Sequence, residues 1–259
     1  MDLAMLIGVY AHVPGMLLVL ARLGGLFVTA PVMGGGYVPN RVKAVISVGG
    51  ALIIYPVLNL PIYRVDGALA LLVAMELGVG LCFGWLLSLF TAGVQMAGEL
   101  INRYAGFTAA ENFDPETDVG AGPVADALYL GTLVLLLSLN LHHHAIAAIA
   151  KSYALLPPGG AAMTPALLAT VSEASRYMWQ AACALSFPVL TVIMAITLAE
   201  GIITRAIPQI NVLHMSFTVK IVVSLLVLVA ALPAMVAFIE ILLAAMMGTG
   251  LAGLRAMSG

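Results

Sequence analysis

The chain has 259 residues, of which 63% are hydrophobic and only 8% charged, with a formal net charge of -2. Ordinary soluble domains carry roughly 25% charged residues, so a water-soluble globule is excluded and an integral membrane protein is indicated. No basic stripe exists to neutralise phosphates, which also argues against a nucleic-acid partner.

Six uncharged runs stand out: 3–21, 44–63, 77–98, 127–150, 177–199 and 221–239. A helix needs about 20 apolar residues to cross a hydrocarbon core. A soluble helix has no reason to exclude charge around its whole circumference for that length. The expected fold class is therefore all-α, a polytopic membrane protein of long, kinked helices and helical hairpins with about six hydrophobic segments.

In chain order, Met1-Asp2 opens with no basic region and no small-residue cleavage site, so the first run reads as a retained span. Gly8 and Pro14-Gly15 predict that it is kinked or broken. The Gly/Pro-rich stretch 30–39 predicts a turn that is not regular helix, and Gly49, Gly50 and Pro56 predict a bend in the second run. The stretch 67–98, interrupted only by Glu76, would be about 48 Å long as one helix. The last, 212–254, would reach about 65 Å, with Lys220, Pro233 and Glu240 inside it. Both exceed a hydrocarbon core of about 30 Å. They are either hairpins hinged at their breakers or long helices in an assembly taller than a bilayer. Lys and Arg divide almost evenly between the two sides that six spans would define, so orientation is unreadable from charge.

The longest polar interval runs from Gly106 to Pro123 and holds Phe107, Glu111, Phe113, Asp114, Pro115, Gly120 and Gly122. Asp114-Pro115 has the form of a helix N-cap followed by Pro at the first helical position. Glycines at both ends permit hinging, which suits a mobile plug or gate; carboxylates that merely keep a surface loop wet are the plainer reading. His142-His143-His144 ends the fourth run, but consecutive helical residues cannot share a face, so a polar span end is expected rather than a metal site. Ions within apolar runs are costly and face a partner or a cavity. Glu76, Glu200, Lys220 and Glu240 are those ions here, and they read as proton carriers or as salt bridges between subunits. Glu99 and Arg103, four apart, support a helix end. Gly80-x-x-x-Gly84 permits close helix contact. Cys82 and Cys183 lie in apolar runs and read as small hydrophobes. Met246-Met247, beside Gly248 and Gly250, reads as ordinary packing or as a thioether seal. No nucleophile–base pair, metal-ligand pair or phosphate loop is present, so no enzyme activity and no cofactor are expected.

One segment is specific. Arg205-Ala206-Ile207-Pro208-Gln209-Ile210-Asn211-Val212, followed by a helix bearing Lys220, resembles the corresponding segment of the FliR family of flagellar export-gate proteins and their type III secretion counterparts of injectisomes. Ala21-Arg22-Leu23-Gly24-Gly25-Leu26-Phe27, Ala30-Pro31, Val38-Pro39-x-Arg41-Val42-Lys43, Glu76-Leu77-x-x-Gly80-x-x-x-Gly84 and the Asp114-Pro115 loop agree with it. His214 and Thr218 depart from it. The resemblance covers essentially the whole chain. It implies a non-enzymatic gate subunit, one copy joining FliP and FliQ subunits around a secretion channel in the bacterial inner membrane, at the flagellar basal body and partly raised toward the periplasm. Further implied partners are FlhB, FlhA, unfolded export substrates and lipid. Residues 1–123 would resemble FliP, and the hairpin within 124–259 would resemble FliQ. The interval 106–122 would be the channel plug. Pro208, Gln209 and Asn211 would form the hairpin turn. Glu76, Glu200, Arg205, Lys220 and Glu240 would serve as subunit-interface charge pairs. The alternative is a proton-coupled secondary transporter using Glu76, Glu200 or Glu240.

Overall fold

A computed structural model describes residues 3–36, 38–58, 60–63, 65, 67–107, 122–207 and 212–258, with side chains described from Tyr10 in the first helix and from Ser216 in the last. Among them lie the helices α1 (Leu3–Thr29), α2 (Pro31–Gly34), α3 (Asn40–Ile54), α4 (Gly67–Ala105), α5 (Pro123–Ser138), α6 (Leu141–Leu155), α7 (Pro165–Ala206) and α8 (Val212–Ala256). Tyr55–Val57 adds a 3₁₀ turn, and no strand occurs among the described residues.

Each charge-free run falls on helix, but not as six single crossings. Four helices are long and apolar enough to cross a membrane: α1, α4, α7 and α8. The second run yields only the 15 residues of α3, about 22 Å, before Pro56 turns the chain into the 3₁₀ segment. That is the bend expected there. The fourth run is broken. α5 and α6 meet at 62°, because Asn140 adopts a left-handed φ of 54° that an α-helix cannot contain. The three histidines therefore open α6 instead of closing a span.

Prolines inside the long helices do not end them. α1 passes Pro14, α7 passes Pro188 and α8 passes Pro233 without interruption. A proline removes one backbone hydrogen bond, but apolar surroundings offer no water to compete for the remainder. α4, α7 and α8 span 39, 42 and 45 residues, about 58, 63 and 68 Å, so the long-helix reading holds and the hinged-hairpin one does not. Within the 30–39 stretch, Pro31 seeds one helical turn at its preferred first position.

The described residues form two compact units. The first comprises 1–89, 135–174 and 246–259; the second comprises 90–134 and 175–245. In the first, α1 crosses α4 at glycines. A Cβ on Gly25 would lie 2.5 Å from the Leu77 carbonyl oxygen, one on Gly84 would lie 2.8 Å from that of Leu26, and one on Gly80 would overlap the Arg22 carbonyl. Thr29 seals the crossing by donating to the Leu81 carbonyl at 3.0 Å. The Gly80-x-x-x-Gly84 spacing thus serves close contact, with Gly25 as its counterpart on α1. Leu18, Leu23, Leu26, Phe83 and Leu86 fill the surrounding core. Met246 is buried there and Gly250 lies against the Phe83 ring, which is ordinary packing.

In the second unit, Gly93 admits the Met178 backbone and Gly98 admits Ala125, so α4 receives α7 and α5 through two further small-residue contacts. α7 and α8 leave much apolar surface uncovered. Phe187, Leu198, Ile202, Leu226, Val229 and Ile241 are all exposed, and only 11% of the most apolar window of α8 is buried.

Candidate functional site

Arg22, which on a six-span reading fell near a loop, lies inside α1 at 0% exposure. Its Nε donates to Glu76 Oε2 at 2.6 Å, one terminal nitrogen donates to Ser152 Oγ at 2.7 Å, and the other donates to the Leu156 carbonyl at 3.1 Å. The guanidinium carbon sits 3.8 Å from the centre of the Tyr153 ring. Glu76 uses its second oxygen to accept from the Gly159 amide at 3.4 Å. Gly159 has a φ of +83°, which turns this amide back at the end of α6. An ion pair removed from water holds only when its remaining donors and acceptors are also met. Here both ions bind further partners, and α1, α4 and α6 converge on one polar knot.

The second unit holds a looser pair. Lys220 Nζ on α8 lies 2.9 Å from Glu200 on α7, with side chains 15% and 18% exposed. Both pairs lie within the chain, so Glu76, Glu200 and Lys220 have their nearest opposite charges without a neighbouring subunit. Arg205 and Glu240 are exposed on α7 and α8 and make no ion pair among the described residues.

Of the polar interval, Gly106, Phe107, Gly122 and Pro123 are described. Gly106 has a φ of +91° beneath the Phe217 ring, 2.7 Å from where a Cβ would stand. Glu111, Phe113, Asp114, Pro115 and Gly120 lie outside the described residues, as do Pro208, Gln209 and Asn211. Asn102 carried no signal beyond a polar residue near a helix end, yet it is 1% exposed and its Oδ1 accepts from the Val124 amide at 3.0 Å.

Among the described residues no group of three potential metal ligands comes together. The His142 and His143 rings lie 4.1 Å apart, tilted by 45°, at the polar start of α6. Cys82 and Cys183 are free thiols. Lys43 donates to the Gly34 and Gly35 carbonyls at 3.3 and 3.4 Å, tying α3 to the end of α2. An open apolar recess lined by His12, Val13, Met16, Tyr55 and Pro56 has one polar pair at its rim, with His12 Nδ1 2.8 Å from the Tyr55 hydroxyl.

Long helices, apolar outer faces and ions consumed by internal pairs define an all-α polytopic membrane protein, with no chemical centre among the described residues. The sequence profile of "Bacterial export proteins, family 1" matches residues 13–246, and the chain belongs to that family. It is 29% identical over 223 residues to "Flagellar biosynthetic protein FliR" of Bacillus subtilis, covering 85% of this chain and 86% of that one. It is 26% identical over 222 residues to the protein of the same name in Escherichia coli, covering 85% of each. It is also 26% identical over 211 residues to "Surface presentation of antigens protein SpaR" of Salmonella typhimurium, covering 80% of this chain and 79% of that protein. The resemblance seen in the Arg205–Val212 segment is thus one of family, and the chain is a membrane-embedded component of bacterial protein export.

Proposed function

We infer that this chain is a structural and gating subunit of a flagellar type III protein export channel. It joins FliP and FliQ subunits, contacts FlhB and FlhA, and passes unfolded substrate proteins across the bacterial inner membrane. The observation that carries the reading is the combination of family membership with helices too long for a bilayer and too apolar for water. α8 is about 68 Å long, over twice a hydrocarbon core of about 30 Å, and most of its apolar surface has no cover among the described residues. Sister subunits supply such cover, since helix–helix contact replaces lipid. The matches of flagellar relatives support the flagellar system over the injectisome, which SpaR represents.

In this reading the interval 106–122 closes the channel at rest, and the turn containing Pro208, Gln209 and Asn211 lies at the cytoplasmic end. Exposed Arg205 and Glu240 are the ions left to meet neighbouring subunits. Of the three carboxylates of the transporter alternative, Glu76 and Glu200 are held in ion pairs with Arg22 and Lys220, and Glu240 makes none among the described residues.

Co-purification of the tagged chain from its own host, with the bound chains identified by mass spectrometry, tests the assembly. FliP- and FliQ-type chains in fixed ratio are expected, and a chain that purifies alone, folded and monomeric, refutes it. Removing residues 108–121 from the assembled complex tests the plug. Vesicles holding that variant are expected to leak small ions, and leakage at the intact level refutes closure by this interval.

A further inference from the structure

The chain between α6 and α7 runs Leu156-Pro157-Pro158-Gly159-Gly160-Ala161-Ala162-Met163-Thr164. Its start is tied to the buried ion pair: the Leu156 carbonyl accepts from Arg22, and the Gly159 amide donates to Glu76. The Gly160 amide closes a turn on the Pro157 carbonyl at 2.9 Å, with Pro158 second in the turn and Gly159 third. Proline there followed by a glycine at a φ of +83° is the arrangement of a type II turn. A Cβ at 159 would also stand 2.6 Å from the Leu72 side chain. The turn aims the Gly159 amide at the buried carboxylate.

The far end of the same segment binds a different helix. The Ala162 amide donates to the Met257 carbonyl at 3.0 Å, and the Thr164 hydroxyl donates to the Ala256 carbonyl, 92 positions away. The last carbonyls of a helix have no partner within it. A left-handed residue commonly folds the chain back to supply one, but none follows α8 among the described residues. Two donors from the α6–α7 segment take its place. Thr164 also caps α7, because its hydroxyl oxygen accepts from the Leu167 amide at 3.2 Å. One hydroxyl, with a single donor and spare acceptor capacity, thus joins the positive start of α7 to the negative end of α8. The end held in this way is well packed. Leu254 and Met257 are buried, and Gly250 and Gly253 lie against Phe83 and Leu86 of α4. The most apolar window of α8, by contrast, is only 11% buried.

We propose that the 156–164 segment is a latch. It is anchored on Arg22 and Glu76, and it holds the carboxyl end of α8 through Thr164, the positioning residue of that end. Without it α8 loses the fixed end from which its uncovered face is presented. That sister subunits seat on that face rests on the assembly proposed above.

The test uses the chain purified from its own host with whatever it binds. Thr164→Ser keeps both bonds and Thr164→Val removes both. Thr164→Asp keeps an oxygen for α7 but has no hydrogen to donate, and it sets a negative charge beside the negative end of α8. Amide hydrogen exchange over 254–258 is expected to quicken roughly five- to tenfold in Thr164→Val and Thr164→Asp, the range a lost helix cap gives. The Leu167 amide should quicken only in Thr164→Val, and Thr164→Ser should match wild type throughout. The double variant Arg22→Met, Glu76→Leu touches nothing on α8, yet it should quicken 254–258 even where its melting temperature recovers. Should that variant fail to fold, Gly159→Ala breaks the same anchor and is read in its place. Unchanged exchange over 254–258 in both Thr164→Val and Thr164→Asp overturns the latch. So does a protected α8 end in the anchor variant. Partner chains recovered with the tagged chain should be lost in Thr164→Asp and kept in Thr164→Ser. Full recovery beside quickened exchange overturns the role of the latch in presenting α8. A wild-type chain that recovers no partners refutes the assembly alone, and exchange then decides the latch.

Discussion

Replacing Glu76 with alanine leaves the Arg22 cation at 0% exposure with only a hydroxyl, a carbonyl and the Tyr153 ring around it. Removing one partner of a buried ion pair costs about 3–5 kcal/mol, because the remaining charge is neither hydrated nor neutralised. That shifts the folded fraction by two to more than three orders of magnitude, roughly a factor of ten for each 1.4 kcal/mol. Glu76→Gln keeps an oxygen for Nε but loses the charge, so the smaller loss of about 1.5–3 kcal/mol expected of a hydrogen bond to a charged group applies. The double variant Arg22→Met, Glu76→Leu should recover most of the loss, since apolar side chains of similar volume replace buried ion pairs at little net cost. The assay is thermal denaturation of the purified complex for Glu76→Ala, Glu76→Gln, Arg22→Met, Glu76→Leu and the double variant, the last three closing a double-mutant cycle with the unaltered chain. A Glu76→Ala loss below about 1 kcal/mol would mean that water or another anion reaches the site, contrary to the burial seen. A double variant worse than either single would show that the knot is required for more than charge neutrality.

The α1–α4 crossing makes a paired prediction. Gly80→Ala should destabilise by about 1–3 kcal/mol through overpacking against the Arg22 carbonyl, whereas Gly78→Ala, two residues away with open space, should be neutral or gain up to about 1 kcal/mol of helix propensity. Equal melting temperatures for the two would rule out the close crossing. Lys220→Glu sets two acids together on α7 and α8 and should lower the yield of assembled complex, with Glu200→Lys in the same chain restoring it. A swap no better than the single change would place the important partner of Lys220 in another subunit. Exposed Glu240→Gln should leave the amount of the chain in the membrane unaltered but weaken co-purification of partner subunits, and the pulled-down ratio measures that.

Hydropathy is a local property, because the transfer cost of each side chain depends on its own chemistry. The helical, membrane-embedded class and the places where helices lie were therefore legible from the charge-free runs. So was the length argument against a simple six-span protein, borne out by the uninterrupted α4 and α8. Breaks were read less well. Pro14 and Pro233 signal a kink or a division yet sit inside continuous helices, while Asn140 breaks a run that looked uniform. Whether a proline ends a helix depends on what surrounds the freed carbonyl, and an asparagine enters the left-handed region only where packing rewards the turn.

Partnerships are a property of faces brought together, and no spacing encodes them here. Arg22 and Glu76 are 54 positions apart and meet only because Gly25, Gly80 and Gly84 let α1 and α4 touch backbone to backbone. Lys220 on α8 finds Glu200 on α7, and Asn102 reaches the Val124 amide beside Gly122. By itself the sequence determined that these residues leave water, and by resemblance to which family they belong. The tertiary structure alone decided which charge neutralises which and which amide caps which helix. Leaving water is a cost each residue carries alone, whereas neutralising that cost needs a particular second residue within about 3 Å.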